Sequence, residues 1–219
     1  SLSDNFLVNV VLPHPIFPAR AINRFLVMGP LLDRGSDGSA ACIEVLSTKV
    51  PSIRRPSIFL ISTPRGRRLM PVSMEKRLKP LRDLEEGNLM IHEIYASIQG
   101  ESTYAGLPCT FVRTTACNLR CSWCDTAHAF GNGQSMSIET VYEEVLKMSP
   151  RLVEVTGGEP LLQPGVLPLM KRLLDNGFQV LLETSGSLDI GEVDPRVVKI
   201  VDLKAPDSGE VEANDWSNI

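Results

Sequence analysis

Three cysteines fall within eight residues of the sequence, and this short segment is the part of the chain best suited to bind an inorganic cofactor. Three residues separate Cys117 from Cys121, and two separate Cys121 from Cys124. Such short spacings let one loop direct several thiolates at a single centre. Three sulfurs do not complete an all-cysteine tetrahedral site, so the pattern favours an iron-sulfur cluster with one metal position open to a ligand.

Two other interpretations of this loop stay open at this stage. His128 follows Cys124 after three residues, so three thiolates and one imidazole could close a tetrahedral structural zinc site. A disulfide with one thiol left over is the other interpretation. The five cysteines form no evenly paired framework, however, and the chain is too long to depend on one.

Length and composition restrict the class of protein. The chain has 219 residues, 43% of them hydrophobic, which is enough to bury the core of one domain with or without an appendage. The net charge of -4 argues against a broad nucleic-acid-binding face, although basic residues are concentrated between Arg54 and Arg82. The sequence has no apolar run of membrane-spanning length and no secretory signal pattern. We therefore expect a cytoplasmic protein with reduced thiols and no membrane or nucleic-acid partner.

Residues 1–89 differ in composition from the rest of the chain. They are rich in proline and arginine and follow no sustained helical or strand period, which predicts an irregular, poorly structured extension. Short apolar runs such as those at 6–12 and 58–62 are strand candidates. The regular pattern begins near Met90, so a second hypothesis is that translation natively starts there and that the preceding segment is upstream read-through.

Residues 90–219 alternate between strands and helices. Strands are predicted at 91–98, 109–113, 152–156, 178–183 and 197–203, and helices at 137–148 and 166–176. Alternation of this kind predicts an α/β fold with parallel strands and right-handed crossovers. In such folds the functional loops follow the carboxyl ends of the strands, which is where the cysteine loop, residues 157–159, 183–185 and 202–204 fall.

These loops have chemistry of their own. The adjacent glycines Gly157 and Gly158 would let a ligand approach the backbone, and the Glu159 carboxylate could accept hydrogen bonds from an ammonium group. Glu183, Thr184 and Ser185 could hydrogen-bond ribose hydroxyls. Each loop taken alone is also compatible with ordinary turn chemistry, and their shared position beside the cysteine loop favours a functional role.

Several motifs together resemble a known family. The cysteine spacing followed by Gly-Gly-Glu-Pro is similar to the radical S-adenosylmethionine superfamily. Within it, the chain resembles the 7-carboxy-7-deazaguanine synthases over about residues 90–210. The motifs that carry the resemblance are Ile98-Gln99-Gly100-Glu101, Phe111-Val112-Arg113, Cys124-Asp125-Thr126, Thr156-Gly157-Gly158-Glu159-Pro160 and Glu183-Thr184.

The resemblance implies a partial (β/α) barrel and a set of ligand-binding positions. A [4Fe-4S] cluster would be held by Cys117, Cys121 and Cys124, and magnesium would be bound by Thr126. S-adenosylmethionine would be bound by Gly157, Gly158, Glu159, Glu183, Ser185 and Lys204. The pterin substrate would be bound by Gln99, Glu101 and Arg113.

The resemblance also implies an activity. Enzymes of this family are carbon-nitrogen lyases of queuosine and 7-deazapurine biosynthesis. One-electron reduction of S-adenosylmethionine would produce a 5′-deoxyadenosyl radical. The radical would convert 6-carboxy-5,6,7,8-tetrahydropterin into 7-carboxy-7-deazaguanine with loss of ammonia. A homodimer and a flavodoxin- or ferredoxin-type electron donor are what the family suggests.

One departure and two alternatives accompany this prediction. The chain ends at Ile219, whereas the family continues through further strands, so we expect residues 90–219 to be a C-terminally truncated radical SAM core. A glycyl-radical-activating enzyme would share the cluster, but the Gln99-Gly100-Glu101 turn and Thr126 argue against it. A zinc-stabilised, non-catalytic binding module is the alternative from a different class.

Overall fold

The structure of the 219-residue chain is a computed structural model. It describes the backbone of residues 6–13 and 21–26 and all of residues 72–219. The strands are β1 (Phe6–Pro13), β2 (Ala21–Leu26), β3 (Asn88–Ile98), β4 (Pro108–Thr114), β5 (Gln134–Ser137), β6 (Leu152–Gly157), β7 (Gln179–Thr184) and β8 (Val198–Leu203). The α-helices are α1 (Met74–Arg77), α2 (Ile138–Leu146) and α3 (Val166–Asp175).

The strands form one sheet in the order β2-β1-β8-β7-β6-β4-β3-β5. The pairs β1–β8, β8–β7, β7–β6 and β6–β4 are parallel, as the alternation of strands and helices predicts. Strand β3 is antiparallel to β4 and β5. The short connection between β3 and β4 accounts for their antiparallel pairing, since a parallel pair needs a crossover of a dozen or more residues.

The sheet has two unlike faces. On one face, which we call the helix face, α2 and α3 pack on strand residues such as Val112, Val155 and Leu182, and this face holds the larger hydrophobic core. The opposite face, which we call the cleft face, carries a smaller apolar cluster that includes Cys109, Phe111, Leu152, Leu181 and Ile200. Successive residues of a strand point to opposite faces, so the polar side chains next to this small cluster line a cleft.

The two main helices begin and pack as their sequences predict. The Ser137 hydroxyl accepts a hydrogen bond from the Thr140 amide at 3.0 Å and caps α2. Val141, Tyr142 and Val145 then face the core, as do Leu169, Met170 and Leu173 of α3. These helices cover the helix face and leave the cleft face open to a ligand.

The N-terminal segment differs in part from the predicted irregular extension. Within residues 1–89, β1 pairs with the edge of β8, β2 pairs with β1, and a short helix spans Met74–Arg77. Strand β1 coincides with the apolar run at 6–12, whereas the strand candidate at 58–62 lies outside the described residues. The boundary between residues 89 and 90 and the read-through hypothesis stay predictions. In the described part of the chain, no helix has the length and apolar character needed to cross a membrane.

Candidate active site

A cleft of about 120 Å³ lies at the carboxyl ends of β4, β6, β7 and β8. Ten of the thirteen predicted site residues line it, which places the cysteine loop opposite the loops that follow β6, β7 and β8. These ten residues are Arg113, Cys117, Cys121, Cys124, Thr126, Gly157, Gly158, Glu183, Ser185 and Lys204. The three that do not line the cleft are Gln99, Glu101 and Glu159.

The backbone of the cysteine loop is fixed on both sides. Ala116 has a φ of 79°, a left-handed conformation that is costly for a residue with a Cβ, and its amide donates to the Ala129 carbonyl at 2.9 Å. The Ser122 amide donates to the Ser208 carbonyl at 2.8 Å. Arg120 donates to the Cys117 carbonyl at 2.8 Å and lies over the Phe130 ring at 3.9 Å. The loop is therefore held in shape by the protein itself.

The thiols of this loop are free, and two of them have raised pKa values. Burial raises the pKa of the Cys117 thiol to about 11, and burial also raises the pKa of Cys121. Both groups are therefore protonated at neutral pH without a metal. Iron bound by these sulfurs would displace their protons, because the thiolate is the ligand.

Gly157 and Gly158 bring the end of β6 against the cysteine loop. Gly157 has a φ of 151°, and a Cβ at this position would lie 2.4 Å from the Thr114 carbonyl oxygen. A Cβ on Gly158 would lie 2.2 Å from the Ala116 carbonyl oxygen and 2.8 Å from the Cys117 Cβ. Only glycine fits at either position, since a side chain would push the two loops apart.

Glu159 is fully buried, and its carboxylate is occupied within the protein. One oxygen accepts hydrogen bonds from the Leu161 amide at 3.1 Å and from the Thr184 hydroxyl at 2.8 Å. The other accepts from the amide and hydroxyl of Ser185 at 2.9 and 2.6 Å. The Glu159 carboxylate thus ties the loop after β6 to the loop after β7. Its contact with a cofactor stays a prediction.

A chain of polar contacts extends from the cleft into the sheet. Glu183 lines the cleft and accepts a hydrogen bond from the Thr156 hydroxyl at 2.7 Å. Its carboxyl group is also hydrogen-bonded to that of Glu154, which is buried on β6. Burial, and next the charge of Glu183, raise the pKa of Glu154 to about 9, so Glu154 is protonated at neutral pH.

Gln99 belongs to the same polar chain. Its side-chain amide donates to Glu154, and its side-chain oxygen accepts from the Glu101 amide at 3.1 Å. Gln99 is buried, which explains why it does not line the cleft. The polar chain therefore runs from Glu183 through Glu154 to Gln99, so Gln99 lies two hydrogen bonds behind the cleft-lining Glu183, and the Glu101 amide lies three.

Arg113 and Lys204 are the cationic groups of the cleft. Arg113 donates to the Glu93 carboxylate at 2.8 Å and to the Tyr95 hydroxyl at 3.1 Å. Burial opposes the charged form of Lys204, but the charge and hydrogen bond of the nearby Asp202 carboxylate favour it, and the pKa of Lys204 is raised. Lys204 donates to one Asp202 oxygen, while the other is buried without a hydrogen-bond partner among the described residues.

The second Asp202 oxygen, which has no partner among the described residues, indicates whether the cleft suits a polar ligand. A buried acceptor without a partner costs free energy unless a donor reaches it. Asp202 is one of the residues that line the cleft beside Lys204, so a hydroxyl or ammonium group of a bound molecule could supply that donor. Together with the three free thiols and the glycine contacts, this makes the cleft chemically suitable for a cysteine-bound cluster and a polar cofactor.

Thr126 lies at the rim of the same cleft. Its hydroxyl donates to the Asp125 carboxylate at 2.8 Å, so two hard oxygen ligands stand side by side. Oxygen ligands suit magnesium.

The predicted residue list omitted Asp202, Thr156 and Glu154. For Glu154, the sequence run Leu152-Val153-Glu154-Val155 contained a signal that could have identified it. A charged residue in an otherwise apolar buried strand indicates a polar environment on one face.

The zinc interpretation required His128 as a fourth ligand to the cysteines. Among the described residues, His128 instead groups with His92 and Glu93, whose ligand atoms lie within 4.8 Å of one another. His128 is absent from the lining of the cysteine cleft. The structure therefore gives no support to a three-cysteine, one-histidine zinc site.

Comparison with known proteins identifies the type of site. Residues 111–202 match the model of the Radical SAM superfamily, and this range includes all three loop cysteines and the glycine pair. This segment, which carries the cleft, is thus similar to the radical SAM superfamily. The sheet of mostly parallel strands with its cleft at their carboxyl ends is the radical SAM partial barrel that the resemblance predicts.

Similar proteins narrow the resemblance to one branch of radical SAM proteins. A 7-carboxy-7-deazaguanine synthase of Koribacter versatilis is 56% identical over 124 residues, covering 56% of this chain and 55% of the relative. One of Chlorobaculum tepidum is 50% identical over 134 residues, covering 61% of each chain. The predicted resemblance to the 7-carboxy-7-deazaguanine synthases is confirmed.

A solved structure agrees with these relatives. The crystal structure of QueE from Escherichia coli superposes on 55% of this chain and 62% of its own, with a TM-score of 0.51 and 27% identity. This chain thus spans less than two thirds of the length of these relatives, between 55% and 62%.

Proposed function

We propose that this radical SAM protein converts 6-carboxy-5,6,7,8-tetrahydropterin into 7-carboxy-7-deazaguanine with loss of ammonia, in queuosine and 7-deazapurine biosynthesis. The observation that carries the proposal is the shared cleft, where the cysteine loop, the glycine pair and Arg113 meet. The similarity to 7-carboxy-7-deazaguanine synthases supports this substrate over the glycyl-radical-activating alternative.

The cysteine loop and the loops after β6, β7 and β8 would hold the cofactors. Cys117, Cys121 and Cys124 would bind a [4Fe-4S] cluster, which with S-adenosylmethionine would supply the radical chemistry of the reaction. The backbone of Gly157 and Gly158 would contact the cofactor closely. The carboxylate of Glu183, the hydroxyl of Ser185 and the ammonium of Lys204 would hydrogen-bond its polar groups.

Glu159 would act as a positioning residue in this arrangement. Its carboxylate holds the Thr184 hydroxyl and both the amide and hydroxyl of Ser185. Because Ser185 also lines the cleft, the position of this loop depends on hydrogen bonds to the buried carboxyl group of Glu159.

The substrate would be oriented by charge and by the polar chain behind the cleft. The Arg113 guanidinium suits the substrate carboxylate, and Glu93 and Tyr95 hold it in place. Gln99 and Glu101 would contribute hydrogen bonds to the pterin ring, with the neutral Glu154 fixing the orientation of the Gln99 amide. The Thr126 hydroxyl would bind a magnesium ion.

The remaining parts of the proposal concern partners and location. A flavodoxin- or ferredoxin-type protein would supply the electron, the protein would act as a homodimer, and it would work in the cytoplasm, where thiols stay reduced.

The proposal is tested by reconstituting the protein anaerobically with iron and sulfide. Electron paramagnetic resonance of the reduced sample should give a cluster signal that changes when S-adenosylmethionine is added. The pterin should then be turned over to 7-carboxy-7-deazaguanine, detected by mass spectrometry.

A pair of cysteine variants separates the cluster from general thiol effects. Cys121→Ala should lose the cluster, because Cys121 lines the cleft. Cys109→Ala should keep it, because Cys109 is buried in the apolar cluster of the cleft face. An intact cluster in Cys121→Ala would overturn the cofactor assignment. A cofactor-responsive cluster without pterin turnover would overturn the substrate assignment alone.

A further inference from the structure

We propose that His92, Glu93 and His128 form a second metal site, separate from the cysteine loop, for a divalent transition metal of the zinc type. One ligand atom from each residue lies within 4.8 Å of the ligand atoms of the other two. The His128 Nε2 atom is 3.9 Å from a Glu93 oxygen, and the two imidazole rings are 5.1 Å apart between centroids. None of the three residues lines the cleft that holds the cysteine loop.

An irregularity in strand β3 positions His92 and Glu93, the two ligands that this strand contributes to the proposed metal site. The pairing of β3 with β4 shifts by one residue between Ile91 and Glu93, so His92 is the extra residue of a β-bulge. Ile91 packs in the core of the helix face, whereas Glu93, two residues later, contacts Arg113 on the cleft face. A regular strand would put both on one face, so the bulge re-aims the side chains that follow it.

The third ligand comes from a separate part of the chain. His128 lies in the 3₁₀ turn Ala127–Phe130 that follows the cysteine loop. Its side chain is 55% exposed and that of Glu93 is 41% exposed, so an ion can reach both from solvent.

One nitrogen of His92 lacks a hydrogen-bond partner. The Nδ1 atom of His92 is buried and has no hydrogen-bond partner among the described residues. An imidazole nitrogen buried without a partner is unfavourable, and a metal ion bound there would supply one.

Glu93 can bind a metal without losing its contact with Arg113. The Arg113 Nε atom donates at 2.8 Å to the same carboxylate oxygen, Oε1, that lies 3.9 Å from the His128 Nε2 atom. That oxygen has a further lone pair, and the second carboxylate oxygen has lone pairs of its own, so a metal can bind either one. Metal-binding carboxylates are commonly held by such an outer hydrogen bond. Arg113 would fill this supporting role while also lining the cleft.

The set of ligands indicates the class of metal. Two imidazoles and one carboxylate bind zinc and ferrous iron and leave coordination positions for water. Ligands of one zinc ion lie about 3.3 Å apart, given metal–ligand distances of roughly 2.0–2.1 Å. The observed separations, up to 4.8 Å, are longer than this value, so the three side chains would have to draw together around the ion.

The experiment uses the full chain with its iron-sulfur cluster in place, so that the loop thiols are occupied. Zinc is added, and its affinity is measured by competition with a chromophoric chelator. His92→Gln and His128→Gln should each weaken zinc binding by more than about tenfold. His14→Gln, which removes the third histidine of the chain, is the matched control and should bind zinc like the unaltered protein.

A second measurement needs no variant. X-ray absorption at the zinc edge of the unaltered, cluster-loaded protein should give only nitrogen and oxygen ligands at about 2.0–2.1 Å, with the pattern of imidazole. Sulfur ligands at about 2.3 Å would assign the zinc to cysteine and overturn the proposal. Equal zinc affinity in all three variants and the unaltered protein would overturn it as well.

Discussion

Replacing Glu159 by alanine should destabilise the protein more than any exposed carboxylate replacement. The buried Glu159 carboxylate accepts four hydrogen bonds, from Leu161, Thr184 and twice from Ser185. A hydrogen bond to a charged acceptor contributes about 1.5–3 kcal/mol, and buried donors left unpaired add a desolvation cost. The four bonds share one acceptor group and are not additive.

The expected loss is about 3–5 kcal/mol, because several buried donors, each costing about 1–3 kcal/mol when left without an acceptor, lose their partner at once. Domains are typically stable by about 5–15 kcal/mol, so a large share of the total would disappear. Denaturant unfolding of the cluster-free chain measures the loss as a shift of the midpoint at constant slope. The cluster is left out because its release would make unfolding irreversible.

Two further variants make this measurement decisive. Glu139→Ala removes an exposed carboxylate paired with Arg172 and should cost at most about 1 kcal/mol. Glu159→Gln keeps the shape and one acceptor oxygen, so its loss should lie between those of the two alanine variants. A loss in Glu159→Ala no larger than in Glu139→Ala would refute the reasoning that these hydrogen bonds hold the two loops together.

Three other predictions concern the same cleft. Folding raises the pKa of Glu154 from its usual 4.5 to about 9, so the unfolded chain releases this proton first and the free energy of unfolding falls as pH rises between these values. The slope should approach ~1.4 kcal/mol per pH unit, and Glu154→Gln should flatten it; an equal slope in both proteins would contradict the assignment. Gly158→Ala should reduce cluster content and cofactor affinity, because its Cβ would meet the Ala116 carbonyl at 2.2 Å, whereas Gly131→Ala, with no atom within 4 Å, should behave like the unaltered protein. Thr126→Ala should weaken the stimulation of turnover by magnesium, and an unchanged magnesium titration would remove Thr126 from the metal site.

The sequence alone determined most of the secondary structure and the end of the sheet that carries the cleft. Hydrophobic periodicity located α2, α3 and strands β3, β4, β6, β7 and β8, because burial on one face imposes a repeat that does not depend on distant contacts. The order of strands and helices then placed the cysteine loop and the later loops together, since parallel strands share one carboxyl edge.

Tertiary structure decided which polar groups meet and which way they face. The sequence assigned Glu159 to the cofactor beside two glycines, but its contacts with Thr184 and Ser185 join positions about 25 residues apart. The bulge at His92 is equally invisible in the sequence, because one unpaired residue arises from the pairing of two strands.

The antiparallel pairing of β3 with β4 and β5, and the pairing of β1 with β8, could not be predicted from the sequence either. Strand periodicity reports which residues are buried but not which strand lies alongside, and both parallel and antiparallel neighbours satisfy it. The sequence thus determined the chemistry available to this protein, while the pairing of strands decided which side chains share the cleft and which stand behind it.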